Sequence, residues 1–170
     1  MSPLAPAAAV SVSFAMRALF AGHGHPLHER KPAMDWKIEV VFIPVTDIDR
    51  SKHFYAEQVG FHADHDSTVS DEIRFVQLTP PGSACSIALG RGITDMEPGS
   101  QRGVQVVVPD ADEARAHLLA NGVECSEVDE QAWGRFVTFA DPDGNTWALQ
   151  QLPDYTKLAE YQAANGVVSN

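Results

Sequence analysis

From residue 36 onward the apolar positions fall into short blocks separated by turn formers, and the blocks follow two different periods. Phe136, Val137, Thr138 and Phe139 are β-branched or aromatic, as are Thr146 and Trp147 on the far side of a turn. The turn itself is Asp141-Pro142-Asp143-Gly144: proline fixes φ, aspartate supplies a side-chain acceptor, and glycine takes the position where a positive φ is often needed. Residues 135–151 therefore read as a β-hairpin. Residues 36–45, apolar on both faces after Glu39, read as a strand buried on both sides. Asp47 is placed to cap a helix over 49–58, with Phe54 and Tyr55 on its inner side and Gly60 at its end. Strands are expected at 61–69, 73–79 and 84–90, and a Pro/Gly-bearing linker at 92–101. A further strand begins at Gly103, and Asp110 opens a helix to Asn121 in which Ala114, Leu118 and Leu119 follow helical spacing. A strand at 123–128, the hairpin and a short terminal helix over 154–165 complete the chain.

The second half repeats the first. Val45-Thr46-Asp47 corresponds to Val108-Pro109-Asp110, and Val59-Gly60-Phe61 to Asn121-Gly122-Val123. Arg74-Phe75-Val76 corresponds to Arg135-Phe136-Val137, and Ile87-Ala88-Leu89 to Trp147-Ala148-Leu149. The offsets are 63, 62, 61 and 60 residues along the chain. A nearly constant offset at four landmarks implies a duplicated βαβββ module. The expected division is an extension at 1–33, modules at 34–91 and 102–152 joined by the linker 92–101, and a helix and tail at 153–170.

Composition narrows the field. The chain has 170 residues, enough for one domain or two small modules sharing a core. A formal charge of -11 makes nucleic acid an unexpected partner, and no apolar run reaches the length of a membrane span. Cys85 and Cys125 form no CxxC pair, so two free thiols in a reducing, cytoplasmic setting are expected. Residues 1–33 share nothing with the repeat; the expectation is a flexible extension from an over-extended start, with translation beginning at Met34. Its His23, His25 and His28 read as adventitious metal capture rather than a built site.

Two βαβββ modules, a V-x-D before each helix, Phe54-Tyr55 followed by Val59-Gly60-Phe61, and Phe139-Ala140-Asp141-Pro142-Asp143-Gly144-Asn145 resemble the vicinal oxygen chelate superfamily. This group includes glyoxalase I, extradiol dioxygenases, fosfomycin-modifying enzymes and bleomycin resistance proteins. The resemblance spans about residues 35–152. It implies an α+β fold whose two curled mixed sheets form a half-open barrel around a cavity, and commonly a homodimer. In metal-dependent relatives the ligands stand seven residues before each helix-opening aspartate and four after the turn glycine. Carried onto this chain, those positions are Val40, Gly103 and Ala148, with Ala88 as the repeat partner of Ala148. None offers a nitrogen, oxygen or thiolate side-chain donor, so no metal and no cofactor are expected. Glu39, beside Val40, would face inward only by a one-residue slip that turns Val41, Ile43 and Val45 away from the core.

Alternation along the same strands assigns Val40, Phe42, Ser86, Ala88, Gly103, Gln105, Val107, Thr146, Ala148 and Gln150 to the cavity wall. That wall is apolar with small residues and neutral polar groups, which suits a small organic ligand. Gln105, among four valines, reads equally as a ligand contact or as a bond to a neighbouring strand. Trp133 and Trp147 read as hairpin core ahead of ligand stacking, and His53, His62, His65 and His117 as solvated. The expected function is metal-independent binding of a small organic molecule, antibiotic sequestration included. The alternatives that the resemblance leaves open are a metal-dependent lyase or dioxygenase and a metal-free isomerase or cyclase. Acid or base groups for the latter would have to come from loops, at Asp71, Glu72, Glu130 or Arg135; catalytic residues are not assigned.

Overall fold

A computed structural model describes residues 34–155, and those from Ile38 onward belong to one unit. Residues 1–33, with their three histidines, and the part of the expected terminal helix past Tyr155 lie outside the described residues. Two four-stranded sheets of identical topology carry the duplication. In the first, β1 (Val40–Phe42), β4 (Ser86–Arg91), β3 (Arg74–Thr79) and β2 (His62–Thr68) lie side by side in that order. In the second the order is β5 (Val104–Val108), β8 (Thr146–Gln151), β7 (Gly134–Ala140) and β6 (Asp129–Gln131). β1 and β5 each run parallel to one neighbour and are edge strands; the remaining pairs are antiparallel. This is the expected α+β fold, and no barrel is closed.

Helix α1 (Ile48–His53) begins at Asp47, whose carboxylate accepts the Arg50 N–H at 3.0 Å, and α2 (Ala111–Ala120) at Asp110, which accepts from Glu113 N at 2.9 Å. Each V-x-D motif is thus a helix cap. α1 continues as a π-helical turn over Phe54–Val59, where the N–H groups of Gly60 and Phe61 both reach the Tyr55 carbonyl. The widened turn accompanies burial of two adjacent aromatic side chains, Phe54 and Tyr55. Gly60, at φ 93°, closes it in the left-handed conformation that glycine adopts without strain.

Two strands depart from the expected ranges. β1 spans three residues rather than 36–45. The Ile43 N–H still bonds the Ala88 carbonyl at 2.9 Å, but the ladder ends there, and the Pro44 carbonyl, facing away from β4, accepts the Gly99 N–H at 3.1 Å. Near 123–128 there is only an isolated bridge between Cys125 and Phe139, and the strand forms later, at β6. There the Ser126 hydroxyl accepts the Thr138 N–H at 3.0 Å, taking the role of a ladder carbonyl.

The core lies on the helix-bearing face of both sheets. Val76, Leu78, Ile87 and Leu89 from the first sheet and Val137, Phe139, Trp147 and Leu149 from the second are buried with Ile43, Tyr55, Phe61 and Leu118. Trp147 sits at its centre, 1% exposed, with ring centroids 5.6 Å from Tyr55, 5.7 Å from Phe61 and 5.9 Å from Phe139. Aromatic groups from both modules therefore meet at one tryptophan. Among the described residues no helix is long and apolar enough to cross a membrane.

The Asp141–Asn145 turn fastens the modules together. Asp141 accepts the Tyr55 hydroxyl at 2.8 Å and the Asn145 amide at 2.7 Å, while its other oxygen takes the N–H groups of Asp143 and Asn145. Asn145 also donates to the Pro44 carbonyl at 2.9 Å and accepts from Gln101 N at 3.0 Å. The Asp143 side chain, 5% exposed, receives the Thr46 hydroxyl at 2.5 Å and the Arg50 guanidinium at 2.8 Å. Burial works against its charge, but the hydrogen bonds from Thr46 and Arg50 prevail and hold it below the usual carboxylate range. Burial first, and the nearby Asp141 charge second, push the Tyr55 phenol far up, so it remains a donor.

Candidate functional site

The clamp sets the two edge strands, and with them the two sheets, around a seam. Between them lies a cavity of about 450 Å³. The first module lines it with Ile38, Val41, the Pro80-Pro81-Gly82-Ser83 turn, Cys85, Ser86 and Ile87. The second contributes Val104, Gln105, Val106, Val107 and Trp147. Most of the lining is hydrocarbon. The polar groups are hydroxyls, an amide and one thiol, and burial pushes the Cys85 thiol up, so it stays protonated at neutral pH. No lining side chain carries a charge there.

Of the ten residues assigned to the wall, Ser86, Gln105 and Val107 line this cavity. Val40 and Phe42 stand half-buried on β1, opposite Ser86 and Ala88. Ala148 is opposite Gln105, and Gln150 opposite Val107. Thr146 spends its hydroxyl on the Gly103 N–H at 2.9 Å, and Gly103 takes a φ of 65° at the entry to β5. These seven lie along or beside the same strands but outside the cavity lining. The residues that pattern reading missed, Val41, Ile87, Val104, Val106 and Trp147, belong to the core face. Val41, Val104 and Val106 stand on the edge strands β1 and β5, and Ile87 and Trp147 on the strands next to them, β4 and β8. The signal was present in the all-apolar stretch 40–43 and in the valines of β5.

Two hydrogen-bonded chains organise the polar groups. On the first sheet His62 Nδ1 lies 2.9 Å from Asp64, the Thr79 hydroxyl donates to Asp64 at 2.5 Å, Thr79 and Ser86 hydroxyls are 2.7 Å apart, and Gln77 donates to Ser86 at 3.0 Å. On the second, Gln105 Nε2 donates to Gln150 Oε1, and Gln150 Nε2 donates to the Trp133 carbonyl at 2.9 Å. Gln105 thus makes the neighbouring-strand bond and lines the cavity as well. Trp147 gives its indole N–H to Tyr55 at 3.0 Å and is core and cavity floor together, whereas Trp133 is 62% exposed. The histidines are exposed, as expected.

The positions where metal-dependent relatives carry ligands, Val40, Ala88, Gly103 and Ala148, present only hydrocarbon or hydrogen. Among the described residues no three of His, Cys, Asp and Glu stand close enough to hold an ion. The donor set does not fit a divalent metal. The charged loop residues lie elsewhere: Arg135 is engaged by Asp112 at 2.8 Å and Glu130 at 3.1 Å, and neither Asp71 nor Glu72 lines the cavity.

Comparison with known proteins gives the chain's relatives. Residues 37–149 match the family model described as the Glyoxalase/Bleomycin resistance protein/Dioxygenase superfamily. TnmS3, an antibiotic binding protein from Streptomyces sp. CB03234, is 33% identical with a TM-score of 0.65, covering 71% of this chain and 98% of its own. A glyoxalase/bleomycin resistance protein from the same organism is 35% identical, TM-score 0.61, covering 68% and 100%. The uncharacterized protein YetH of Bacillus subtilis is 28% identical over 119 residues, 68% of this chain and 98% of that one.

Proposed function

The chain belongs to the Glyoxalase/Bleomycin resistance protein/Dioxygenase superfamily, and from that premise we propose that it binds a small, largely apolar organic molecule in the seam cavity without a metal. The observation that carries this reading is the lining: hydrocarbon walls, a few neutral polar groups and no charge, in a volume that accommodates a drug-sized ligand. Antibiotic sequestration is the form we favour, since TnmS3 is an antibiotic binding protein at 33% identity. Chemistry at this site would need a proton carrier or a Lewis acid. The lining supplies neither a carboxylate nor a histidine, and the four relevant positions supply no metal donor. A homodimer is part of the proposal: Val107 at 59% and Trp133 at 62% exposure leave apolar surface beside the site for a second copy to cover.

The test is a thermal-shift screen of chelator-treated protein against small aromatic antibiotics, repeated after offering zinc, iron, manganese and nickel. The expected result is a ligand-dependent rise in melting temperature that the metals do not alter. Stabilisation confined to metal-loaded protein would overturn the proposal.

A further inference from the structure

The chain of hydrogen bonds behind Ser86 has a direction that can be worked out atom by atom. Asp64 is ionised, because the hydrogen bonds from Thr79 and His62 outweigh the burial that opposes its charge. A carboxylate only accepts, so the single Thr79 hydroxyl proton points at Asp64, at 2.5 Å. Across the 2.7 Å contact between Thr79 and Ser86, Thr79 has no second proton to give, and Ser86 is therefore the donor. Gln77 Nε2 donates to the Ser86 oxygen at 3.0 Å. Ser86 is 6% exposed and lines the seam cavity. Its proton and one lone pair are committed, which leaves one lone pair.

Resting on the binding reading above, we infer that Ser86 is a specificity-determining acceptor, with Thr79 and Asp64 as positioning residues. The ligand class it selects is neutral, apolar-bodied molecules carrying one hydroxyl or N–H donor, such as aryl alcohols or amines. A carbonyl or ether oxygen placed at Ser86 meets another oxygen with no proton between them. A carboxylate fares worse, facing the same lone pair inside an uncharged, largely hydrocarbon cavity. Reversing Ser86 would require Thr79 to abandon Asp64, leaving a carboxylate oxygen without the bond that offsets its burial.

Equilibrium dialysis of the full chain against 2-naphthol and 2-methoxynaphthalene tests this, since the two share a ring system and differ in the donor. Wild-type protein is expected to prefer the naphthol by about tenfold, the scale of one hydrogen bond made rather than missed. Ser86→Ala removes the preference by weakening naphthol. Thr79→Val keeps a β-branched side chain in β3 and frees the Ser86 proton. It is expected to erase the preference in the other way, by strengthening the ether while naphthol stays within about twofold, a split that mere loss of packing would not produce. Equal wild-type affinities for the two probes, or a preference that survives Ser86→Ala, would overturn the inference and leave the binding reading intact. Failure of the wild type to bind either probe would overturn the binding reading, and the inference with it.

Discussion

Tyr55 shows how much one side chain can carry. Its hydroxyl donates to Asp141 and accepts from Trp147, joining the first helix to the second hairpin inside a core where all three side chains are buried. Tyr55→Phe strands the Trp147 indole N–H and leaves that Asp141 oxygen with the Asn145 amide alone, and is expected to destabilise by about 1–3 kcal/mol, read as a lower urea midpoint. Asp143 adds a pH dependence. Its folded-state carboxyl lies below its unfolded value, so its contribution is present above the unfolded pKa, near about 4, and is lost as pH falls through the folded one. The urea-midpoint difference between wild type and Asp143→Asn is expected to hold steady from neutrality to about pH 5 and to close below about pH 4. A difference that persisted at acid pH would assign the effect to packing instead. The turn of Asp141 to Gly144 was legible in sequence because its chemistry is local. The clamp was not, because Tyr55, Thr46 and Arg50 approach it from a distant stretch of chain.

At the scale of elements, the helix caps and the hairpins followed from local pattern, and the strands that shrank or moved did so where polar groups found other partners. Past Ile43 the Pro44 carbonyl turns to Gly99 and Asn145, and the Ser126 hydroxyl displaces a ladder bond. The glycines separate two kinds of constraint. At Gly60, an added Cβ would meet nothing closer than 3.5 Å, so Gly60→Ala carries only the left-handed backbone penalty, about 1 kcal/mol. At Gly90 a Cβ would collide with the Arg74 carbonyl in the adjoining strand and with Ile93, which forces β3 and β4 apart. Gly90→Ala is expected to lose about 3 kcal/mol, clearly more than Gly60→Ala, in paired denaturation curves. Equal losses would mean that the β3–β4 contact yields without strain.

For the whole molecule, the repeat offset was enough to reveal two modules and a common topology. Ser86, Gln105 and Val107, which alternation marks for the cavity wall, line the seam together with neighbours of the opposite alternation. What alternation could not supply is the relation between β1 and β5, which share no hydrogen-bonded ladder and are brought together by the clamp and the shared aromatic core. Because the cavity forms between these edges, core-face residues such as Val41 and Val106 join it, together with Ser86, Ile87 and Trp147 from the strands next to them. No charged side chain lines the site; the ionised Asp64 stands behind Thr79 and Ser86. The proposed binding of a neutral ligand in this seam without a metal is decided by a ¹H–¹⁵N spectrum of the chelator-treated full chain, titrated with an antibiotic that raises the melting temperature. Shifts centred on Ser86, Gln105, Val107 and the Trp147 indole, unchanged when metals are offered, are the predicted result. Shifts that arise elsewhere, or only once a metal is restored, would contradict it.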